Sequence, residues 1–170
     1  GKRDQAAQTI QEGLELQPEH VRCLYLEGLL AARDGDLSTA ATTWETVLKS
    51  DSSLDEARIS LGVLAERDGN HKTAREFYLK AIKNGDLMSQ GERRLGILSY
   101  KDGQAEDAAQ WLRKAQSSGD TSSELLTCLG RVSYETGNYQ DSIDCWKNLL
   151  TGSRSDPHLR SGLALAYKAL

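Results

Sequence analysis

The sequence is poor in residues that mark several classes of protein. It has 3 cysteines, Cys23, Cys128 and Cys145, which are too few and too scattered for a disulfide framework or a zinc site. It has only 2 prolines. Its apolar stretches are short, far below the roughly 20 residues that a membrane-spanning helix needs. We therefore expect no bound metal and no direct membrane insertion.

An excess of positive charge is also absent. Lys and Arg number 21 against 25 Asp and Glu, a formal net charge of -4. A nucleic-acid-wrapping protein needs a basic chain overall, so we expect no nucleic-acid partner. The opening residues are polar and helical in pattern, unlike a signal peptide. Unpaired cysteines favour a reducing compartment such as the cytoplasm.

Catalytic motifs are missing as well. The sequence contains no P-loop, no GxGxxG, no GxSxG and no HExxH. The three histidines, His20, His71 and His158, never stand four residues from another metal-ligand type on one helical face. Cys128 has no spaced His or Asp to activate it and is interpreted as a small apolar filler. We expect no enzyme, no catalytic residue and no cofactor.

Small residues recur with one period of 34 residues, which five times over fills the chain of 170. The first series is Gly1, Gly35, Gly69, Gly103 and Gly137. The second is Gly28, Gly62, Gly96 and Gly130, continued by Ala164. The third is Ala6, Ala40, Ala74 and Ala108, continued by Ser142. Three series with the same period and no insertion predict a tandem repeat.

Each period has the pattern of two helices. In the period 55–88, one apolar face runs through Ala57, Leu61 and Leu64, and a second follows Gly69, a glycine suited to end the first helix. Ser53 with Glu56, and Thr121 with Glu124, fit capping boxes, and Asp156 before Pro157 fits a helix N-terminus.

Small and large positions alternate between the two helices. We expect the alanine series to settle into the gaps left by the glycine series. The large residues four positions after the alanines are expected to fill the space between neighbouring helix pairs: Trp44, Tyr78, Leu112 and Trp146.

This pattern resembles the tetratricopeptide repeat (TPR) over the whole chain. The pairs Leu61-Gly62, Leu95-Gly96 and Leu129-Gly130 and the later alanines Ala81 and Ala115 carry the resemblance. It departs from the family pattern in its prolines and in lacking the aromatic at the fourth repeat position. Sel1-like repeats are a related alternative, but their longer, variable loops do not fit a constant 34-residue period.

The resemblance implies an all-α fold, a right-handed α-solenoid of antiparallel helix pairs with a TPR-like superhelix. The implied frame is a single array over 1–170, beginning with a second helix at 1–20 and ending with a first helix at 157–170. The full repeats lie between them, at 21–54, 55–88, 89–122 and 123–156. The simpler interpretation of the two half-repeats is a piece of a longer array. The alternative is that copies complete each other head to tail, as rings or filaments.

The resemblance also implies a protein–protein interaction scaffold whose concave groove is lined by the first helix of each repeat. The groove positions that it implies are Tyr25, Leu29, Arg33, Ile59, Val63, Arg67, Arg93, Ile97, Tyr100, Lys101, Arg131 and Tyr134. Basic side chains outnumber acidic ones along this groove, although the chain is acidic overall.

We therefore expect a protein or peptide ligand, an extended or helical segment with acidic and apolar side chains. The basic residues would pair with carboxylates and the tyrosines would flank apolar anchors. Four alternatives stay open. The groove residues are ordinary solvated and inter-helix positions, or the chain binds a partner through its convex face or an edge. Otherwise the chain is a self-assembling structural module, or it is a non-catalytic regulatory array of a larger enzyme.

Overall fold

The computed structural model describes residues 1–152 and 156–170, in which ten helices and no strand are found. The helices are α1 (Lys2–Leu16), α2 (Val21–Asp34), α3 (Leu37–Ser50), α4 (Asp55–Arg67), α5 (His71–Asn84), α6 (Met88–Lys101), α7 (Ala105–Ser117), α8 (Ser123–Glu135), α9 (Tyr139–Gly152) and α10 (Pro157–Ala169). The predicted repeat 123–156 runs through residues 153–155, which lie outside the described residues. No helix of the described part is long and apolar enough to cross a membrane.

Tight turns join the two helices of each pair. Two or three residues separate α2 from α3, α4 from α5, α6 from α7 and α8 from α9, so the members of each pair run antiparallel. The same repeat position in each turn is a glycine with φ between 74° and 88°: Gly35, Gly69, Gly103 and Gly137. This left-handed conformation is strained for other residues, which explains the first glycine series.

The helix starts agree only in part with the sequence. Asp156 caps α10 as expected, accepting hydrogen bonds from the backbone amides of His158 and Leu159. The capping box expected at Ser53 is not formed, because α4 begins one residue later, after Leu54, which has no side-chain acceptor. At α8 the cap is Ser122 rather than Thr121.

The chain divides into two compact units, Gly1–Leu87 and Met88–Leu170. In unit 1, α2 packs on α3 and α4 on α5, with further contacts between α1 and α2 and between α3 and α4. In unit 2, α6 packs on α7 and α8 on α9, and α7 and α9 connect these pairs to α8 and α10. Each unit has a core of its own, around Trp44 in unit 1 and around Leu112 and Trp146 in unit 2.

The second glycine series marks the closest approach within each pair. A Cβ added to Gly62, Gly96 or Gly130 would lie 2.5 Å from Tyr78, Leu112 or Trp146, and the approach of Trp44 to Gly28 is closer still. The large residue itself therefore occupies the space over the glycine. The second helix settles onto this glycine as expected, but the large residues were expected between neighbouring pairs, and their closest approach is instead within the pair, over the glycine.

Candidate functional site

One hollow in unit 2 brings four of the sequence-predicted groove residues together. Ile97, Tyr100 and Lys101 of α6 and Arg131 of α8 line a hollow of about 480 Å³. Its other walls are Ser123, Glu124, Thr127 and Cys128. Ile97, Tyr100 and Cys128 pack against the core of unit 2, so the hollow has an apolar side and a charged rim.

Arg131 is exposed on this rim and lies over an aromatic ring. Its guanidinium carbon is 5.7 Å from the centroid of the Tyr100 ring, and the Tyr100 hydroxyl donates a hydrogen bond of 2.6 Å to Glu135. That bond, with burial adding to it, raises the pKa of Tyr100. Among the described residues, none offers a carboxylate within ion-pair distance of Arg131, so its donors are available for a partner.

Arg131 also borders a second, larger hollow. This hollow, of about 910 Å³, lies between α8, α9 and α10 and includes the apolar side chains Leu126, Trp146, Leu149, Leu159 and Leu165. Gly162 also lines it, and a Cβ there would lie 3.1 Å from the Trp146 ring, so α10 comes close to that ring at this point. Arg131 thus lines two partly apolar hollows, both within unit 2.

Arg93, predicted to line the groove, is mostly buried between α6 and the start of α8. Its side chain is only 13% exposed and forms an ion pair with Asp120. It also donates a 2.9 Å hydrogen bond to Ser122, and its Nε lies 3.2 Å from Glu124. Burial alone would raise the pKa of Asp120, but the hydrogen bonds from Ser122 and the charge of Arg93 outweigh it and lower that pKa. Arg93 therefore ties α6 to the start of α8.

We expect Arg93→Ala to lower the free energy of unfolding by about 2–3 kcal/mol, because it leaves the mostly buried Asp120 without its charged partner. The matched control is Arg94→Ala, since Arg94 is more exposed and pairs only with Glu124 at 3.3 Å. The control is expected to cost less than about 1 kcal/mol. Equal losses in urea unfolding of the two variants would contradict the structural role of Arg93.

Tyr134, also predicted to line the groove, is half-buried and packs against other aromatic rings. Its ring meets Tyr139 edge to face at 5.5 Å and lies 6.1 Å from the Trp146 ring. It packs against the small core formed by Ile143, Trp146 and Ala166. The structure therefore places Tyr134 within the packing of α8 and α9.

In unit 1, two of the six predicted groove residues line one hollow together. Leu29 and Arg33 of α2 line an apolar hollow of about 460 Å³, but its other wall is α1 rather than α4. Tyr25 packs on the core, with its ring 6.3 Å from that of Trp44.

The three groove residues predicted on α4 differ in how deeply they are buried. Ile59 is buried, Val63 is half-buried and Arg67 is exposed at the end of the helix. An ion pair of 2.7 Å between Arg22 and Glu56 joins α2 to α4. Unit 2 is the better candidate for a binding site, because four of the predicted groove residues line one hollow there.

Comparison with protein families decides the class of the chain. The family profile described as tetratricopeptide repeat matches residues 1–51 and 25–89, which together are more than half of the chain. The chain belongs to the tetratricopeptide repeat family. A search of curated proteins gave no match.

Solved structures agree with the TPR fold. The chain is similar to YrrB, described as a TPR protein with an unusual peptide-binding site, at 17% identity and a TM-score of 0.74, covering 94% of this chain and 82% of that one. It is similar to MamA at 19% identity and a TM-score of 0.73, covering 90% and 84%. It is similar to pilF of Pseudomonas aeruginosa at 15% identity and a TM-score of 0.81, covering 98% and 82%.

The predicted fold class, an all-α TPR solenoid, is confirmed by the helices and these likenesses. TPR proteins are in general interaction scaffolds that bind peptide or protein partners, and the TPR fold is typically non-catalytic. The repeat boundaries and the groove as a binding site stay predictions.

Neither Cys128 nor Gly162 was predicted as a residue of the candidate site. Cys128, interpreted as a filler, is half-buried and lines the hollow of Arg131. Burial raises the pKa of its thiol to about 11, so it stays protonated near neutral pH and is a poor nucleophile. Gly162 lies outside the 34-residue glycine series, and this departure from the repeat is the feature of the sequence that could have identified it. The described residues hold no cluster of His, Cys, Asp and Glu that could bind a metal ion.

Proposed function

We propose that the chain is a protein-interaction scaffold that binds an extended or helical segment with acidic and apolar side chains across α6 and α8. One observation carries this proposal: the exposed Arg131 lines two partly apolar hollows. A buried ion pair such as Arg93–Asp120 stabilises the fold. An arginine that is exposed beside open apolar surface is suited to recognition.

The chemistry of the rim selects the partner. A carboxylate of the partner would accept paired hydrogen bonds from Arg131, whose plane is supported by the Tyr100 ring. Apolar side chains on either side of that carboxylate would enter the two hollows, which lie within the range of about 300–1,000 Å³ usual for ligand pockets.

The experiment is a selection from a random peptide library on the immobilised full chain. We expect enrichment of peptides with a carboxylate flanked by large apolar residues, and loss of that enrichment on the Arg131→Glu variant. Lys80→Glu makes the same change of charge at an exposed position of α5 and is expected to retain the enrichment. Basic peptides, or the same peptides on wild type and Arg131→Glu, would overturn the proposal.

A further inference from the structure

The two hollows beside Arg131 occupy equivalent places in successive repeats. Residues of the smaller hollow have counterparts 34 residues later in the larger one, in the pairs Ile97 and Arg131, Glu124 and His158, Thr127 and Ser161, Cys128 and Gly162, and Arg131 and Leu165. The smaller hollow is open although α9 and α10 follow it in the chain, so an open hollow at this place is a property of the repeat.

The two hollows differ in size and in how deep they reach. The smaller has about 480 Å³, and the residues that line it all lie on α6 and α8. The larger has about 910 Å³ and is lined by α9 as well, through Trp146, Asn148, Leu149 and Thr151. The larger hollow therefore offers room for a larger side chain.

One pair of equivalent residues accounts for this difference. Cys128 is half-buried and packs against the core of unit 2, whereas position 162 has no side chain. A side chain at position 162 would begin 3.1 Å from Cη2 and Cζ3 of Trp146, which lines the hollow. Gly162 thus leaves uncovered a part of the site that Cys128 covers in the preceding repeat.

The lining of the larger hollow suits an aromatic ring. Its apolar wall combines the end of the Trp146 ring with the leucines Leu126, Leu149, Leu159 and Leu165. The edge of an aromatic ring carries a positive partial charge and attracts the face of a second ring. Hydroxyl and amide groups complete the lining and suit a ring with a polar atom: Ser123, Thr127, Asn148, Thr151 and Ser161.

The charges of the larger hollow favour a carboxylate next to that ring. Glu124 of the smaller hollow is replaced by His158 in the larger one. The carboxylate of Asp156 accepts hydrogen bonds from the backbone amides at the start of α10, at 2.8 and 3.3 Å. Arg131 lines the same hollow and is exposed, so it can bind the carboxylate of a neighbouring partner residue.

We propose that the larger hollow binds a large aromatic side chain of the partner, next to the carboxylate that Arg131 binds, and that Gly162 determines this specificity. The proposal rests on the proposed function and names the residue that the larger hollow selects. The smaller hollow, which Cys128 narrows, takes an aliphatic side chain on the other side of the carboxylate.

The experiment measures the affinity of labelled peptides for the full chain by fluorescence anisotropy. The reference peptide alternates leucine and glutamate, and in the other peptides one leucine at a time is replaced by tryptophan. We expect one of the tryptophan peptides to bind wild type about tenfold more tightly than the reference, because a larger apolar ring is buried.

Two variants act on the hollow from different sides. Gly162→Cys introduces the residue of the equivalent position and is expected to abolish the tryptophan preference while binding the reference peptide within about threefold of wild type. Leu165→Ala removes an exposed wall residue and is expected to reduce the preference by about threefold without affecting folding. Leu79→Ala, at an equally exposed leucine of α5, is the matched control and is expected to keep the full preference.

The outcomes separate this proposal from the proposed function. Equal affinity of wild type for the reference and for every tryptophan peptide would overturn the aromatic subsite alone. A tryptophan preference that persists unchanged in both Gly162→Cys and Leu165→Ala would overturn it as well. If Arg131→Glu binds all these peptides as wild type does, the proposed function itself is wrong.

Discussion

Tyr78→Ala is expected to lower the free energy of unfolding by about 3–5 kcal/mol, the usual range for removing a large aromatic side chain from a core. Tyr78 is fully buried, and its ring lies directly over Gly62. Its hydroxyl donates a 2.8 Å hydrogen bond to Glu66. Tyr78→Phe is the control that keeps the ring and removes the hydroxyl, and its expected cost is about 0.5–1.5 kcal/mol.

A double-mutant cycle with Gly62→Ala tests the geometry behind this prediction. A Cβ at position 62 would lie 2.5 Å from the ring, so the single substitution is expected to cost about 1–3 kcal/mol. With alanine at position 78 the clash disappears, and Gly62→Ala becomes neutral or stabilising by up to about 1 kcal/mol through helix propensity. Urea unfolding followed by circular dichroism measures all four proteins. Additivity within about 0.5 kcal/mol would contradict the close approach.

Asp55→Ala is expected to lower the free energy of unfolding by about 3–5 kcal/mol, because it leaves a buried arginine without its carboxylate. Asp55 and Arg58 are 1% and 8% exposed and form an ion pair. Arg58 also donates a 2.5 Å hydrogen bond to the Ser52 carbonyl, and Asn84 donates one of 2.9 Å to Asp55. This network joins the start of α4 to the end of α5.

The neighbouring residue is the matched control. Glu56 pairs with Arg22 at 2.7 Å, but that pair is on the surface, so Glu56→Ala is expected to change stability only slightly. In the double variant Asp55→Ala/Arg58→Met, part of the lost stability is expected to return, since no unpaired charge remains. If Asp55→Ala and Glu56→Ala cost the same in urea unfolding, the buried network does not stabilise unit 1 as described.

The fold could be predicted from the sequence because the same pattern of glycine and apolar residues recurs in each repeat. Gly62 is needed because the paired helix approaches closely there, and Gly69 is needed because the turn takes a left-handed backbone conformation. Both requirements depend little on the surrounding side chains. Four or five copies of such a signal outweigh the ambiguity of any one copy. The helix starts were less certain, since Ser53 and Thr121 lie one residue from the observed boundaries.

The candidate site could be predicted only in part, because a repeat position gives the side of a helix but not the partner of a side chain. Ile97, Tyr100, Lys101 and Arg131 do line one hollow. Arg93 shares their helix face but is drawn inward by Asp120, which stands 27 residues later in a loop between helices. The Asp55–Arg58 network was missed for the same reason, since Asn84 completes it from another helix.

The central claim is that Arg131 recognises acidic and apolar segments, and a direct titration tests it. The probe is a fluorescently labelled peptide of alternating leucine and glutamate, followed by anisotropy with the full chain. Wild type and Lys80→Glu are expected to bind it equally, whereas Arg131→Glu is expected to bind at least about tenfold more weakly, because a favourable charge pair becomes a repulsion. A peptide with lysine for each glutamate is expected not to bind. Equal affinity of wild type and Arg131→Glu for the acidic peptide would contradict the claim.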